Sequence, residues 1–202
     1  MSAQAAEPRA AAIVLAAGAS SRMGDVKQLL DAGGQSLVRR AAEVALAAPC
    51  APVVVVVGAQ AARVRAEVEG LGVEVVCNRG WREGIASSLR CGIRALPGTA
   101  RAAFVLLCDQ PAISPALLRA MLAARRASGR TIVACRYGGV AGVPALFARE
   151  RFAQLLALEG DAGARGLIAA AGDDVATVDF PDGALDVDTP ADWERWQARG
   201  RA

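Results

Sequence analysis

Five consecutive valines at residues 53–57 limit the folds open to this chain more than any other feature. A β-branched run favours a strand, and with no polar residue alternating in it both faces must be covered. Residues 13–16 and 102–108 have the same unbroken apolar character. Helical stretches are expected between such runs. They cover residues 36–48, capped by Ser36, residues 60–69, and residues 85–95, where Ile85, Leu89 and Ile93 keep helical step. Ser114-Pro115 opens another helix with a cap and a first-turn proline. Further strands are expected at 73–77 and 131–135. This strand–helix alternation marks an α/β fold, a mostly parallel sheet with helices on both faces. The last third reads as a short strand at 142–147, a helix at 149–158, a turn at 160–165 leading into 166–171, and a strand at 174–180. A terminal helix at 191–197 follows, with Trp193 and Trp196 on one face. One domain over residues 1–202 is expected, with 1–10 as a disordered N-terminal stretch.

In such sheets ligands bind outside the carboxyl ends of the strands, where Gly18, Asn78 and Asp109 fall. The first of these places is residues 13–27, IVLAAGASSRMGDVK. The strand breaks into small residues and then meets two cations, Arg22 and Lys27. So little side-chain bulk lets a ligand approach the backbone N–H groups, and the cations suit an anion such as phosphate. Gly18 and Gly24 are separated by five residues and Asp25 follows, which excludes a P-loop; the dinucleotide fingerprint G-x-G-x-x-G is absent too. Asp109 ends the apolar run before Pro111, where it either holds a hard cation or caps the turn. Asp186 and Asp188 share one side of an extended segment, and Asp188 or Thr189 is also placed to cap the helix after Pro190.

Composition removes several chemistries. There is no histidine, so Ser-His-Asp and Cys-His catalysis and His-ligated zinc are out. The five cysteines are widely spaced with no C-x-x-C pair, which reads as buried free thiols in a cytoplasmic protein. A net charge of +3 with scattered cations argues against nucleic acid. No apolar run reaches membrane-spanning length and no secretory signal is visible. Lys27 is expected to be exposed.

The pattern L-A-A-G-x-S-x-R-M-G-x-x-K resembles the signature of the MobA-like nucleotidyltransferases, and Ala16-Ala17 resembles the molybdenum cofactor cytidylyltransferases among them. The resemblance extends to Asn78, Trp81, Gly84, Ser88, Leu89 and Arg90 (N-x-x-W-x-x-G-x-x-x-S-L-R), to C-D-Q-P at Asp109, to Gly142-Val143-Pro144, to G-D-x-G-A-R ending at Arg165, and to D-V-D-T-P-A-D. It implies a three-layer α/β/α, Rossmann-like nucleotidyltransferase fold. The implied reaction moves CMP from CTP to the phosphate of a molybdopterin-type acceptor, releasing pyrophosphate and giving molybdopterin cytosine dinucleotide. Catalytic roles fall to Arg22, Lys27 and Asp109, and Mg²⁺ to Asp109 and Asp188, with Asp186 the alternative. Nucleotide contacts fall to Leu15, Ala16, Ala17, Gly18, Ser20, Arg22, Lys27, Asn78, Gly84, Ser88 and Asp109; the acceptor side comprises Gln110, Pro144 and Arg165. A molybdenum hydroxylase would receive the product in the cytoplasm, with no nucleic acid or membrane involved. Three other readings share the scaffold: a transferase using GTP or another acceptor, an oxidoreductase, and a non-catalytic carrier of the cofactor. Leu15, where some members have Thr, and the lack of a proline in residues 31–34 leave the base preference open.

Overall fold

The computed structural model describes residues 10–199. The valine run lies in β2 (Cys50–Val57), one strand in from the edge of a seven-stranded sheet. Its strands, in chain order, are β1 (Ala10–Ala16), β2, β3 (Glu74–Cys77), β4 (Ala102–Leu107), β5 (Ile132–Tyr137), β6 (Val140–Ala148) and β7 (Val175–Asp179), arranged β3-β2-β1-β4-β6-β5-β7. The five valines are between 0 and 2% exposed, and burying each contributes roughly 1.5–3 kcal/mol. One face is covered by α1 (Leu37–Ala47), α2 (Ala61–Glu67) and α4 (Pro115–Ser128). The other is covered by α3 (Ile85–Ala95), α5 (Phe152–Leu156) and α6 (Ala164–Ala170). The chain is therefore a three-layer α/β/α fold.

Ser36 and Ser114 cap α1 and α4, accepting from the backbone N–H groups of Arg39 and Leu117. On α3, a Cβ at Gly92 would lie 2.4 Å from Ile13 Cγ2, so glycine lets this helix sit close on the sheet. Its first turn thereby reaches the carboxyl ends of β1 and β3.

Four expectations need correction. Ala10 is a buried residue of β1, not part of a disordered stretch; residues 1–9 lie outside the described residues. The 149–158 helix is a 3₁₀ turn at Arg149–Arg151 followed by α5. The 142–147 strand runs longer, as β6, and is antiparallel to both β4 and β5. It leaves β5 by a two-residue turn in which Gly138 and Gly139 have φ of 55° and 77°, values that suit the right-handed twist of a hairpin. Finally, the five cysteines are free but not all buried: Cys77 is exposed, on an edge strand. Among the described residues no helix is long and apolar enough to cross a membrane.

Candidate functional site

The strand order reverses between β1 and β4, and a cleft of about 710 Å³ opens at their carboxyl ends. Of the residues singled out from sequence, Leu15, Ala16, Ala17, Gly18, Arg22, Lys27, Gly84, Ser88, Asp109, Asp186 and Asp188 line it. Ser20, Asn78, Gln110, Pro144 and Arg165 do not.

The loop after β1 packs tightly. Ala59 donates its N–H to the Ala17 carbonyl at 3.0 Å, and a Cβ at Gly58 would stand 2.6 Å from that oxygen, so only glycine fits there. The backbone amides of Gly18, Ala19, Ser20, Ser21 and Arg22 donate to no protein acceptor among the described residues. They are available to an anion.

Lys27 follows in a short 3₁₀ turn (Lys27–Leu29). Its ammonium donates to Asp109 Oδ2 at 2.5 Å and to Asp188 Oδ1 at 2.7 Å. Arg22, 70% exposed, reaches Asp188 Oδ2 at 2.8 Å. Lys27 is therefore not on the surface, its side chain being 15% exposed. Burial pulls its pKa down, and the two aspartates more than offset this, so the net shift is upward.

Asp188 arrives from far along the chain. Val187 donates its N–H to the Asp109 carbonyl at 2.8 Å, and its buried side chain packs with Met23, Ala32 and Leu37 and with Trp193 and Trp196 of α7 (Pro190–Arg199). Thr189 caps α7 in a reciprocal box: Asp192 Oδ2 accepts from the Thr189 N–H at 2.8 Å and the Thr189 hydroxyl at 2.7 Å, and Thr189 Oγ1 accepts the Asp192 N–H at 3.3 Å. Asp192 Oδ2 also accepts from the Asp188 N–H at 3.2 Å. Bonds from Thr189 hold Asp192 down at about 2. The cap is thus Thr189, and the Asp188 carboxylate is left for the cleft.

Asp186 turns to Gln110, whose Nε2 donates to it at 3.0 Å and to the Val143 carbonyl at 3.2 Å. Burial and then the Asp109 charge push the Asp186 carboxyl up, against the Gln110 bond. At this corner three carboxylates face two cations. Asp109 Oδ1 is buried with no hydrogen-bond partner, and an acceptor-only oxygen of this kind suits a hard cation. Among the described residues no three or more His, Cys, Asp or Glu form a complete metal cage. The unpartnered Asp109 oxygen beside the Asp188 carboxylate fits a cation that also takes oxygens from a substrate. Cys108 lines the cleft, but burial pushes its thiol up to about 12, so it supplies no thiolate nucleophile near neutral pH.

The facing wall is built by Trp81, Arg82, Gly84, Ile85, Ser88 and Asp161. Asn78 is buried beneath it, donating to Ser87 and Ser88 Oγ at 2.8 and 3.0 Å, and so fixes the first turn of α3. Gly84 has φ +99°, and a Cβ there would meet the Gly160 carbonyl at 2.3 Å. That carbonyl accepts the Ala86 N–H at 3.1 Å, which seats the 160–163 turn against α3. Pro144 is buried and Arg165 exposed. Sequence reasoning gave no role to Arg82, for which no local signal exists, to Asp161, although it is the aspartate of G-D-x-G-A-R, or to Gln28, a polar residue next to Leu29 and Leu30.

Residues 12–175 match the MobA-like NTP transferase domain. The crystal structure of the Rv0371c homolog from Mycobacterium sp. strain JC1 is 33% identical, with a TM-score of 0.83 over 95% of this chain and 96% of that one. Rv0371c of Mycobacterium tuberculosis H37Rv in complex with manganese is 30% identical, with a TM-score of 0.78 over 93% and 97%. Nicotine blue oxidoreductase of Paenarthrobacter nicotinovorans is 37% identical over 120 residues, which span 59% of this chain and 58% of that protein. With most of its length inside the domain match, the chain belongs to the MobA-like NTP transferase family and is an enzyme of the NTP transferase class.

Proposed function

We propose that this enzyme transfers CMP from CTP to the terminal phosphate of a molybdopterin-type acceptor. The observation that supports this most is Lys27 held between Asp109 and Asp188, with Asp109 Oδ1 unpartnered, beside a row of free amides. The amides of residues 18–22, with Arg22 and Lys27, would take the triphosphate. Leu15, Ala16, Ala17, Gly84 and Ser88 would line the base and sugar, over the frame that Asn78 and Ser20 hold. Asp109 and Asp188 would hold Mg²⁺, while Asp186, committed to Gln110, would stay outside its ligands. When bound, that ion neutralises charge on the phosphates.

The acceptor's phosphate oxygen attacks the α-phosphorus, the new P–O bond replaces the one to the β-phosphate, and pyrophosphate leaves. A phosphate nucleophile is already anionic at neutral pH, so no general base is needed, in keeping with a chain without histidine. The chain's own contribution is positioning and charge neutralisation. Gln110, Pro144 and Arg165, all outside the cleft lining, would act on the acceptor side. A molybdenum hydroxylase in the cytoplasm would receive the product.

The test is pyrophosphate release across a nucleotide panel. CTP is expected to exceed GTP by about 10²–10³, because a wrong base leaves buried backbone groups unpaired at ~1–3 kcal/mol each. Equal turnover of the two overturns the cytidine reading. The similarity to nicotine blue oxidoreductase favours a second reading, oxidation of NAD(P)H with a pigment or quinone. Nicotinamide oxidation without pyrophosphate release would select it, and acceptor binding without either reaction would select a carrier.

A further inference from the structure

We infer that Gln28 is a positioning residue that aims the amides of the 18–22 loop at the phosphates of a nucleoside triphosphate. The inference rests on the proposed reading of that loop as the phosphate site and adds the device that shapes it. Gln28 is 1% exposed, the most deeply buried polar side chain among the described residues, and it lies under the cleft. A buried carboxamide is costly unless its polar atoms are bonded. Its Nε2 donates to the Gly18 carbonyl at 2.8 Å and, more weakly, to the Ala16 carbonyl at 3.4 Å. Its Oε1 accepts from the Ser20 hydroxyl at 2.9 Å, and Ser20 Oγ accepts the Lys27 N–H at 3.1 Å.

A trans peptide is planar, with its C=O and the following N–H pointing opposite ways. Tying the Gly18 carbonyl inward therefore turns the Ala19 N–H outward. The neighbours follow the same rule: Ala59 holds the Ala17 carbonyl, which aims the Gly18 N–H, and Met23 holds the Ser20 carbonyl, which aims the Ser21 N–H. Gln28 is the one side chain in this set. Its hold on Ser20 matters for a second reason. Ser20 is the one non-glycine residue with positive φ among the described residues, at 57°, a conformation that persists only when the surroundings fix it. Without Gln28 the 18–19 peptide is free to rotate and present a carbonyl, rather than an amide, to an anion. The same chain of bonds reaches the backbone of Lys27, so the loop and its cation are set together.

The experiment measures CTP and cytidine binding by calorimetry, with Mg²⁺, on the full chain at a temperature where circular dichroism shows each variant folded. Gln28→Met keeps the volume and removes every bond. Gln28→Glu keeps an acceptor but sets a carboxylate against two carbonyls. Both are expected to weaken CTP about 10- to 100-fold and to leave cytidine unchanged within about twofold, since only the phosphates meet the loop. Ser20→Ala, which breaks the same chain of bonds from the more exposed side, covers the case in which the Gln28 variants fail to fold and should weaken CTP about three- to tenfold. Combined with Gln28→Met it should add little, because both remove one network. Wild-type CTP affinity in folded Gln28→Met overturns the inference, as does an equal loss for CTP and cytidine. If the wild type binds GTP as tightly as CTP, the cytidine reading falls and GTP against guanosine tests Gln28 in the same way. If it binds no nucleoside triphosphate, both fall.

Discussion

At the amino ends of the strands, Asp174 meets Thr131 and Arg151; at the carboxyl ends, Asp109 and Asp188 meet Lys27 and Arg22. The first cluster is closed. Asp174 Oδ1 accepts the Thr131 N–H at 3.0 Å, and Oδ2 accepts the Thr131 hydroxyl at 2.5 Å and Arg151 Nη2 at 2.6 Å. Arg151 Nε returns to Thr131 Oγ1 at 2.7 Å. Bonds from Thr131, then Arg151, hold Asp174 down at about 2. The second cluster is open: Asp109 and Asp188 share two cations, Asp109 Oδ1 has no partner, and the Asp186 carboxyl beside them, bonded to Gln110, is pushed up. Both are built from aspartate and a cation, so a charge cluster does not by itself mark a site. What separates them is unfinished bonding on a cleft at the carboxyl ends of the strands, where, on the proposed function, a substrate and its metal would complete the set.

The largest test of that contrast replaces the open carboxylates. Asp109→Asn and Asp188→Asn are each expected to lower turnover by about 10²–10³, the size of losing one preorganised electrostatic group. Because both would hold one ion, the double variant should lose far less than the product of the two. Asp186→Asn should be milder, since an amide oxygen still accepts from Gln110. Single-turnover rates at saturating Mg²⁺ measure all four. Multiplicative losses would mean that the two aspartates act separately, and a larger loss at Asp186 would exchange the proposed ligands.

The cations come next. Lys27→Met is expected to cut turnover by about 10² and to cost ~1–3 kcal/mol in stability, because it strands the mostly buried Asp109 carboxylate and leaves Asp188 to Arg22 alone. The Lys27 pKa is raised above its ordinary 10.5. Its contribution is therefore complete below pH 10.5 and lost only as pH rises through the raised value. Denaturant melts from pH 6 to 9 should show a constant gap between wild type and Lys27→Met. Arg151→Met should lose only about 1 kcal/mol and no turnover. A fall in turnover there would erase the distinction between the two ends.

The two ends also differed in how far they could be read in advance. Asp109 was legible because an apolar run ending at Asp-Gln-Pro places a carboxylate at a strand's carboxyl end. The glycine loop was legible because spacing excludes its rivals. Asp188 and Thr189 were both candidate caps, and the choice needed Asp192, three residues after Thr189, to close the box. The antiparallel hairpin was missed although Gly138-Gly139 between Tyr137 and Val140 is a two-residue turn signal; the strand–helix alternation before it set a parallel expectation. Lys27 was placed at the surface because the carboxylates that cover it lie 82 and 161 residues away. Gln28 had only a weak signal, a polar residue beside Leu29 and Leu30, and Asp174 had none. Asp174's partners come from 43 and 23 residues away, and hydrophobic periodicity is blind to such pairings.

The smallest effect expected is at Asp174, and its value lies in its pH dependence. Its carboxyl is lowered from an ordinary 3.8 to about 2 by the Thr131 and Arg151 bonds. A lowered folded-state pKa means that the unfolded chain binds the proton more readily, so the contribution is complete above pH 3.8 and is lost as pH falls towards 2. Asp174→Asn removes that titration while keeping an oxygen for Thr131. The variant should melt a few degrees below wild type at pH 7, and the gap should close as pH drops from 4 to 2. Turnover at pH 7 should match wild type, because Thr131, Arg151 and Asp174 are not among the residues that line the cleft. Thermal melts at half-unit pH steps measure the gap directly. A gap constant down to pH 2 would mean that Asp174 is not held ionised by its neighbours, and the amino-end cluster would then be no more closed than the one in the cleft.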